Sequence, residues 1–244
     1  MPLVTSEQAA LPKRLDFASR LPSPLSDDEI AQREHQLQES ARRHEMTERA
    51  GWWKSLIAKR GRRYEKCLLK NFTSSCAAQR DVLTALRRYV SNISEHIRSG
   101  EGVLLYGPKG TGKDHLLVAA SREAINRGHR VTWHNGMDLF GDIRDRMDAN
   151  ESERAFVGRL VSAEVLYLSD PLPVDGSLTE FQKSMLFRIL DGRYSHIRPT
   201  WITVNVSSRQ ELESRMGTQS VDRIIDGAMT YFCNWPSNRK KLVS

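Results

Sequence analysis

Cysteine is scarce in this chain. Three occur in 244 residues, Cys67, Cys76 and Cys233, and their spacing fits neither a metal-ligand pattern nor a disulfide framework. Such sparse, odd usage is that of a reducing compartment, so a cytoplasmic location is expected. No run of about 18 apolar residues occurs, which argues against a membrane span. The N-terminus carries charges where a secretory leader would have an apolar core. No internal repeat is apparent, so solenoids and arrays are set aside.

What is abundant is charge. Lys and Arg number 37 against 30 Asp and Glu, a net +7, and this favours a polyanionic partner, though modestly. Residues 1–26 hold Pro2, Pro12, Pro22 and Pro24 with little apolar periodicity, as a disordered tail does. Ser26-Asp27-Asp28-Glu29 is a helix-start signal, with acids where the helix dipole favours them. The helix that follows to about Ala50 is too polar to build a core of its own. Residues 27–63 are therefore expected to form a helical, basic extension that is either a solvated arm or a docking element. Its end carries Trp52-Trp53 and then Lys59-Arg60-Gly61-Arg62-Arg63.

From about residue 64 the pattern changes to alternating strands and helices. Val82, Leu86, Val90, Ile93 and Ile97 recur at spacings of three and four and predict one helix over about 75–98. Strands are expected at Val103–Tyr106, Val131–Trp133, Val165–Leu168, Trp201–Val204 and Met229–Cys233, with amphipathic helices between them. The fold class is α/β: a mostly parallel five-stranded sheet with helices on both faces.

The chemistry is concentrated in Gly107-Pro108-Lys109-Gly110-Thr111-Gly112-Lys113-Asp114, set between an apolar strand and a helix that opens with His115. Strand, glycine-rich loop, lysine and helix is the arrangement that cradles a triphosphate. Backbone N–H groups and the helix N-terminus face the phosphates, and Lys113 reaches the outer ones. ATP is the expected nucleotide. Asp114 departs from the pattern, which normally ends in Ser or Thr to bind Mg²⁺. A carboxylate can ligate Mg²⁺ directly, but it also brings negative charge near phosphate. The outcome is a Mg²⁺-dependent binder or a weak one.

Open α/β sheets place ligands at the carboxyl ends of strands. Val165–Leu168 ends in Ser169-Asp170-Pro171, one acid where two are expected. Either Asp170 is the metal-side acid and Pro171 replaces the base, or Asp170 is the base and Ser169 replaces the metal-side acid. The first register is preferred, because Leu172 then falls where an apolar residue commonly follows. It predicts weak or absent hydrolysis, since a general base contributes about 10²–10⁴ in rate. Asn205, ending Trp201–Val204, is a candidate for contact with a water or the terminal phosphate. Arg223 is a candidate for a neighbouring subunit's phosphate, and Arg239 for phosphate in its own chain.

Taken in order, Gly107–Asp114 with His115-Leu116, Val165–Asp170, Asp191-Gly192-Arg193-Tyr194, Arg198-Pro199-Thr200, Asn205, Asp222-Arg223-Ile224 and Phe232-Cys233-Asn234-Trp235 resemble the DnaC/IstB-type ATPases of the AAA+ superfamily. The resemblance runs from about Tyr64 to the end. It implies an AAA+ ATP-binding domain over residues 64–244, with Gly107–Lys113 as nucleotide loop and Asp170 as metal-side acid. Asn205 would be the sensor on the fourth strand, Arg223 the trans-acting arginine, and Arg239, a looser match, the cis sensor. It further implies Mg²⁺, a replicative helicase as partner, single-stranded DNA and a nucleotide-dependent homo-oligomer, with the N-terminal extension gripping the helicase. A transposition helper acting with a transposase and a non-hydrolysing, nucleotide-gated adaptor remain alternatives. A small-molecule kinase leaves the Asn and Arg series unexplained.

Overall fold

A computed structural model describes residues 25–149 and 152–238. The tail expected to be disordered lies, except for its last two residues, outside the described residues. The chain divides into two compact units, residues 1–44 and 45–244.

Helix α1 runs from Asp27 to Arg60, past the expected end near Ala50. Its start is fixed as the sequence predicts. The Glu29 carboxylate accepts from the Ser26 backbone N–H (2.8 Å), and the Ser26 hydroxyl accepts from the Glu29 N–H (3.3 Å), a reciprocal cap. Among the described residues of the first unit none is buried, as expected of a helix with so few apolar side chains. Within the second unit, Leu56 and Ile57 of the same helix are buried.

The second unit is three-layered. Strands β1 (Gly102–Gly107), β2 (Val131–Asn135), β3 (Val165–Ser169), β4 (Thr200–Asn205) and β5 (Ala228–Phe232) form one parallel sheet in the order β2-β3-β4-β1-β5. Alternation along each strand sorts the apolar side chains. Val103, Leu105, Trp133, Tyr167 and Trp201 face one core cluster, which includes the end of α1, α2 (Ala77–Ser91), α3 (Ile93–Ser99) and α4 (Lys113–Asn126). Leu104, Leu166, Leu168, Ile202 and Val204 face the other, with α5 (Gly136–Asp148), α6 (Glu153–Ser162), α7 (Glu180–Ser195), α8 (Arg209–Met216) and α9 (Thr218–Ile225).

The single helix expected over 75–98 is two helices. Asn92, at φ −116° and ψ 27°, ends α2 and starts α3. The apolar stripe continues across the break, with Ile93 and Ile97 buried, so periodicity alone does not reveal it. A glycine stops α4: Gly128 has φ +87° and its N–H reaches the Ile125 carbonyl.

Candidate functional site

The five strands are parallel, so their carboxyl ends share one edge of the sheet. Pairing sets Gly107 opposite Asn205, and Ser169 opposite both Thr203 and Asn135. The glycine-rich loop leaves β1 at this edge and enters α4 at Lys113. Beside it is a cleft of about 860 Å³, lined among others by Lys109, Gly112, Lys113, Asp114, Asp170 and Asn205, a volume suited to a small-molecule ligand.

The loop is held from three sides. Trp235 donates its indole N–H to the Thr111 carbonyl (2.8 Å), and the Asn238 backbone N–H bonds the Gly110 carbonyl (2.9 Å). Thr111 itself is buried and donates to the Pro108 carbonyl (3.1 Å). Gly112 has φ +91°, and a Cβ there would lie 2.7 Å from the Phe72 ring, so only glycine fits. Phe72 also meets the His115 ring edge-on at 5.6 Å, and His115 is anchored through Nε2 to the Leu68 carbonyl (3.0 Å).

Lys113 is 5 % exposed. Its ammonium donates to the carbonyls of Gly107 (2.8 Å) and Pro108 (2.7 Å) and lies 3.3 Å from the Thr111 hydroxyl. Burial lowers its pKa, opposed in part by Cys233, Asp114 and Asp170. It is thus a cation held by carbonyl dipoles beneath the loop, within the field of both acids.

Asp114 is the most heavily bonded residue of the site. One carboxylate oxygen accepts from the hydroxyls of Tyr167 (2.8 Å), Ser169 (2.9 Å) and Thr203 (2.7 Å). The other is 2.7 Å from Nη2 of Arg60, the last residue of α1. Arg60 lies over the Tyr64 ring at 3.7 Å. Burial works against its charge, and Asp114 with the two tyrosines outweighs it, so its pKa is raised. Burial and the Asp114 charge together hold the Tyr167 hydroxyl well above its usual range.

Asp170 points elsewhere. It sits just past β3 at φ +53°, and its carboxylate accepts from the Asn205 backbone N–H (3.1 Å) and side-chain amide. Pro171 is buried against Gly136, where a Cβ would fall 2.0 Å from the Pro171 Cα. Of the other expected site residues, Arg223 is on α9, ion-paired with Asp191 (2.8 Å) over the Tyr194 ring, and does not line the cleft of its own chain. Arg239 lies outside the described residues.

The structure therefore brings Gly107–His115, Asp170 and Asn205 to one place. Sequence reasoning missed Arg60, Tyr167, Thr203, Trp235 and Asn238 as contributors. Tyr167 and Ser169 were legible in principle, since residues i and i+2 on a strand face the same side; Arg60 and Asn238 lie 54 and 124 positions from Asp114, with no local signal. As donors for Mg²⁺ the residues fit: Asp114 and Asp170 supply carboxylates at the cleft, the hard oxygen ligands that Mg²⁺ takes, and the buried hydroxyls of Ser169 and Thr203 are directed to Asp114.

Strand order, loop and the acid–amide pair beside it define a P-loop nucleotide-binding protein of AAA+ architecture. The chain belongs to the family of IstB-like ATP binding proteins, whose model matches residues 58–241. It is 26 % identical over 181 residues to the replicative helicase loader DnaC of Escherichia coli K12, covering 73 % of this chain and 71 % of that protein. A putative insertion sequence ATP-binding protein of Sinorhizobium fredii is 29 % identical over 149 residues, 59 % of this chain and 49 % of that one. Among solved structures, that of the DnaC helicase loader superposes with a TM-score of 0.64 at 25 % identity, over 70 % of this chain and 99 % of that one. No helix among the described residues is long and apolar enough to cross a membrane.

Proposed function

We propose that this chain is an ATP-binding helicase loader acting in DNA replication in the cytoplasm. The observation that carries the reading is the cleft itself, lined by Lys109, Gly110, Gly112 and Lys113 of the loop and the start of α4 together with Asp170 and Asn205. The loop would hold the phosphates of ATP, and Lys113, now on the Gly107 and Pro108 carbonyls, would supply its ammonium to their outer oxygens. When bound, Mg²⁺ neutralises phosphate charge; Asp114, with the Ser169 and Thr203 hydroxyls beside it, would hold it. Asn205 orients the Asp170 carboxylate.

The DnaC likeness supports a replicative helicase as the partner, with residues 27–63 as the docking element and 64–244 as the ATP-binding domain. The net charge of +7 supports contact with single-stranded DNA, whose affinity then falls as salt rises. Nucleotide favours self-association through Arg223, which must leave Asp191 to reach a neighbour's phosphate. A transposition helper is the second reading, favoured by the insertion-sequence relative.

The test is titration with a fluorescent ATP analogue. Lys113→Ala should weaken binding at least about 100-fold, the scale of losing a charge-assisted contact in a closed site; retained affinity would reject the loop assignment. Capture of purified helicase in preference to transposase separates the two partner readings.

A further inference from the structure

Phosphate-loop enzymes hold their metal between a hydroxyl at the end of the loop and an acid at the end of a neighbouring strand. This chain has both groups with their places exchanged. The loop ends in Asp114, strand β3 ends in Ser169, and the Ser169 hydroxyl donates to the Asp114 carboxylate at 2.9 Å. We propose that Asp114 is the metal-side acid of this site, that Ser169 supplies the partner hydroxyl, and that Asp170 is therefore the general base. The proposal deepens the nucleotide-binding reading and rests on it.

Three observations support the exchange. First, charge is conserved. A Thr-to-Asp change alone would add an uncompensated carboxylate beside phosphate, and an Asp-to-Ser change alone would remove the metal-side charge. Together they leave one carboxylate and one hydroxyl, in contact, as the site requires. Second, Asp114 is held in place for such a role: Tyr167 and Thr203 also donate to the oxygen that Ser169 meets, and Arg60 holds the other oxygen at 2.7 Å. Third, the next two residues are placed for the second register. Asp170 lines the cleft and turns away from the Asp114 cluster to Asn205. Pro171 is packed on Gly136 at the start of α5, not at the cleft, so it does not stand where a base is needed. The expectation of missing hydrolysis depended on placing the base at 171. In the base role Asp170 takes a proton from the water whose oxygen attacks the γ-phosphorus. The bond from that phosphorus to the bridging oxygen breaks, and its electron pair stays on ADP.

The experiment is a double-mutant cycle. Wild type, Asp114→Thr, Ser169→Asp and the double variant are titrated with a fluorescent ATP analogue in Mg²⁺ and in EDTA, and thermal unfolding is followed in each. Asp114→Thr should cut the ratio of affinities in Mg²⁺ and EDTA by about 10–100-fold, the usual scale for damage to a metal shell. The double variant should return the ratio to within about threefold of wild type, a non-additive recovery. An unchanged ratio in Asp114→Thr, or additive loss in the double, overturns the exchange. If Asp114→Thr does not fold, Asp114→Asn removes the charge at nearly constant size and should give the same loss. Failure of wild type itself to bind nucleotide would instead reject the underlying reading. In single-turnover cleavage, Asp170→Asn should slow the step by about 10²–10⁴ with affinity kept, and Pro171→Glu should bring no gain. A faster Pro171→Glu, or an unaffected Asp170→Asn, restores the first register.

Discussion

Arg193 is fully buried, and backbone carbonyls surround its guanidinium. It donates to Leu160 (2.7 Å) and Ala163 (2.7 Å) at the end of α6, to Pro199 (2.5 Å) ahead of β4, and to the Thr200 hydroxyl (2.9 Å). Burial, with Arg198 nearby, pushes its pKa down to about 9, yet the guanidinium satisfies carbonyls that the ends of two elements leave open. The Asp-Gly-Arg-Tyr stretch that contributed to the family resemblance thus includes an architectural arginine. Arg193→Leu should cost about 3–5 kcal/mol in urea unfolding, because several buried acceptors lose their donor at once. Arg193→Lys should recover only part of this, since an ammonium cannot replace the planar fork.

At the scale of elements, α1 makes the connection that sequence patterns least anticipate. Within the second unit its last residue, Arg60, is ion-paired with Asp114 of the cleft. The pair is partly sheltered, at 13 % and 32 % side-chain exposure. Arg60→Met should therefore lower stability by about 1–3 kcal/mol, between values for exposed and buried pairs. Arg62→Met, at an exposed neighbour, should stay within about 0.5 kcal/mol of wild type; equal effects in chemical denaturation would show that the pair contributes nothing. The strands and the loop were legible because an apolar run followed by glycines and a lysine is a local pattern. The break at Asn92 was not, since Ile93 and Ile97 continue the apolar spacing of α2. The register at Asp170 was read from Leu172, two positions on; in the fold Asp170 has φ +53° and lines the cleft, a placement that the apolar spacing does not encode.

Two predictions concern the molecule as a whole. Burial, with Lys59 next in effect, pushes the His134 imidazole down to about 4 from an ordinary 6.5; Asp142 opposes the shift, Arg146 adds to it, and the Phe156 ring meets it edge-on. The folded protein holds His134 neutral, so the unfolded chain binds more protons between those values. Its contribution is complete above about pH 6.5 and is lost as pH falls towards 4, amounting to about 3 kcal/mol. His134→Gln should flatten that part of the stability profile in urea unfolding from pH 7.5 to 4.5. Arg223→Ala should weaken nucleotide-dependent self-association in sedimentation while leaving monomer affinity for ATP within about twofold of wild type. A wild type that stays monomeric with ATP would remove the ground for that role.

Local order determined much of this protein. The alternation of strands and helices, the glycine-rich loop, the helix start at Ser26 and the stop at Gly128 each depend on residues a few positions apart, so periodicity and capping chemistry reveal them. Pairings between distant residues were decided by the tertiary structure alone. Parallel strands bring Ser169 and Thr203 side by side, α4 lowers Asp114 onto their hydroxyls, and the end of α1 delivers Arg60 to the same carboxylate. A carboxylate in place of a hydroxyl reads as a defect along the chain. Folded, it is one member of a bonded group, because hydrogen bonds and ion pairs depend on distance in space rather than on separation in sequence.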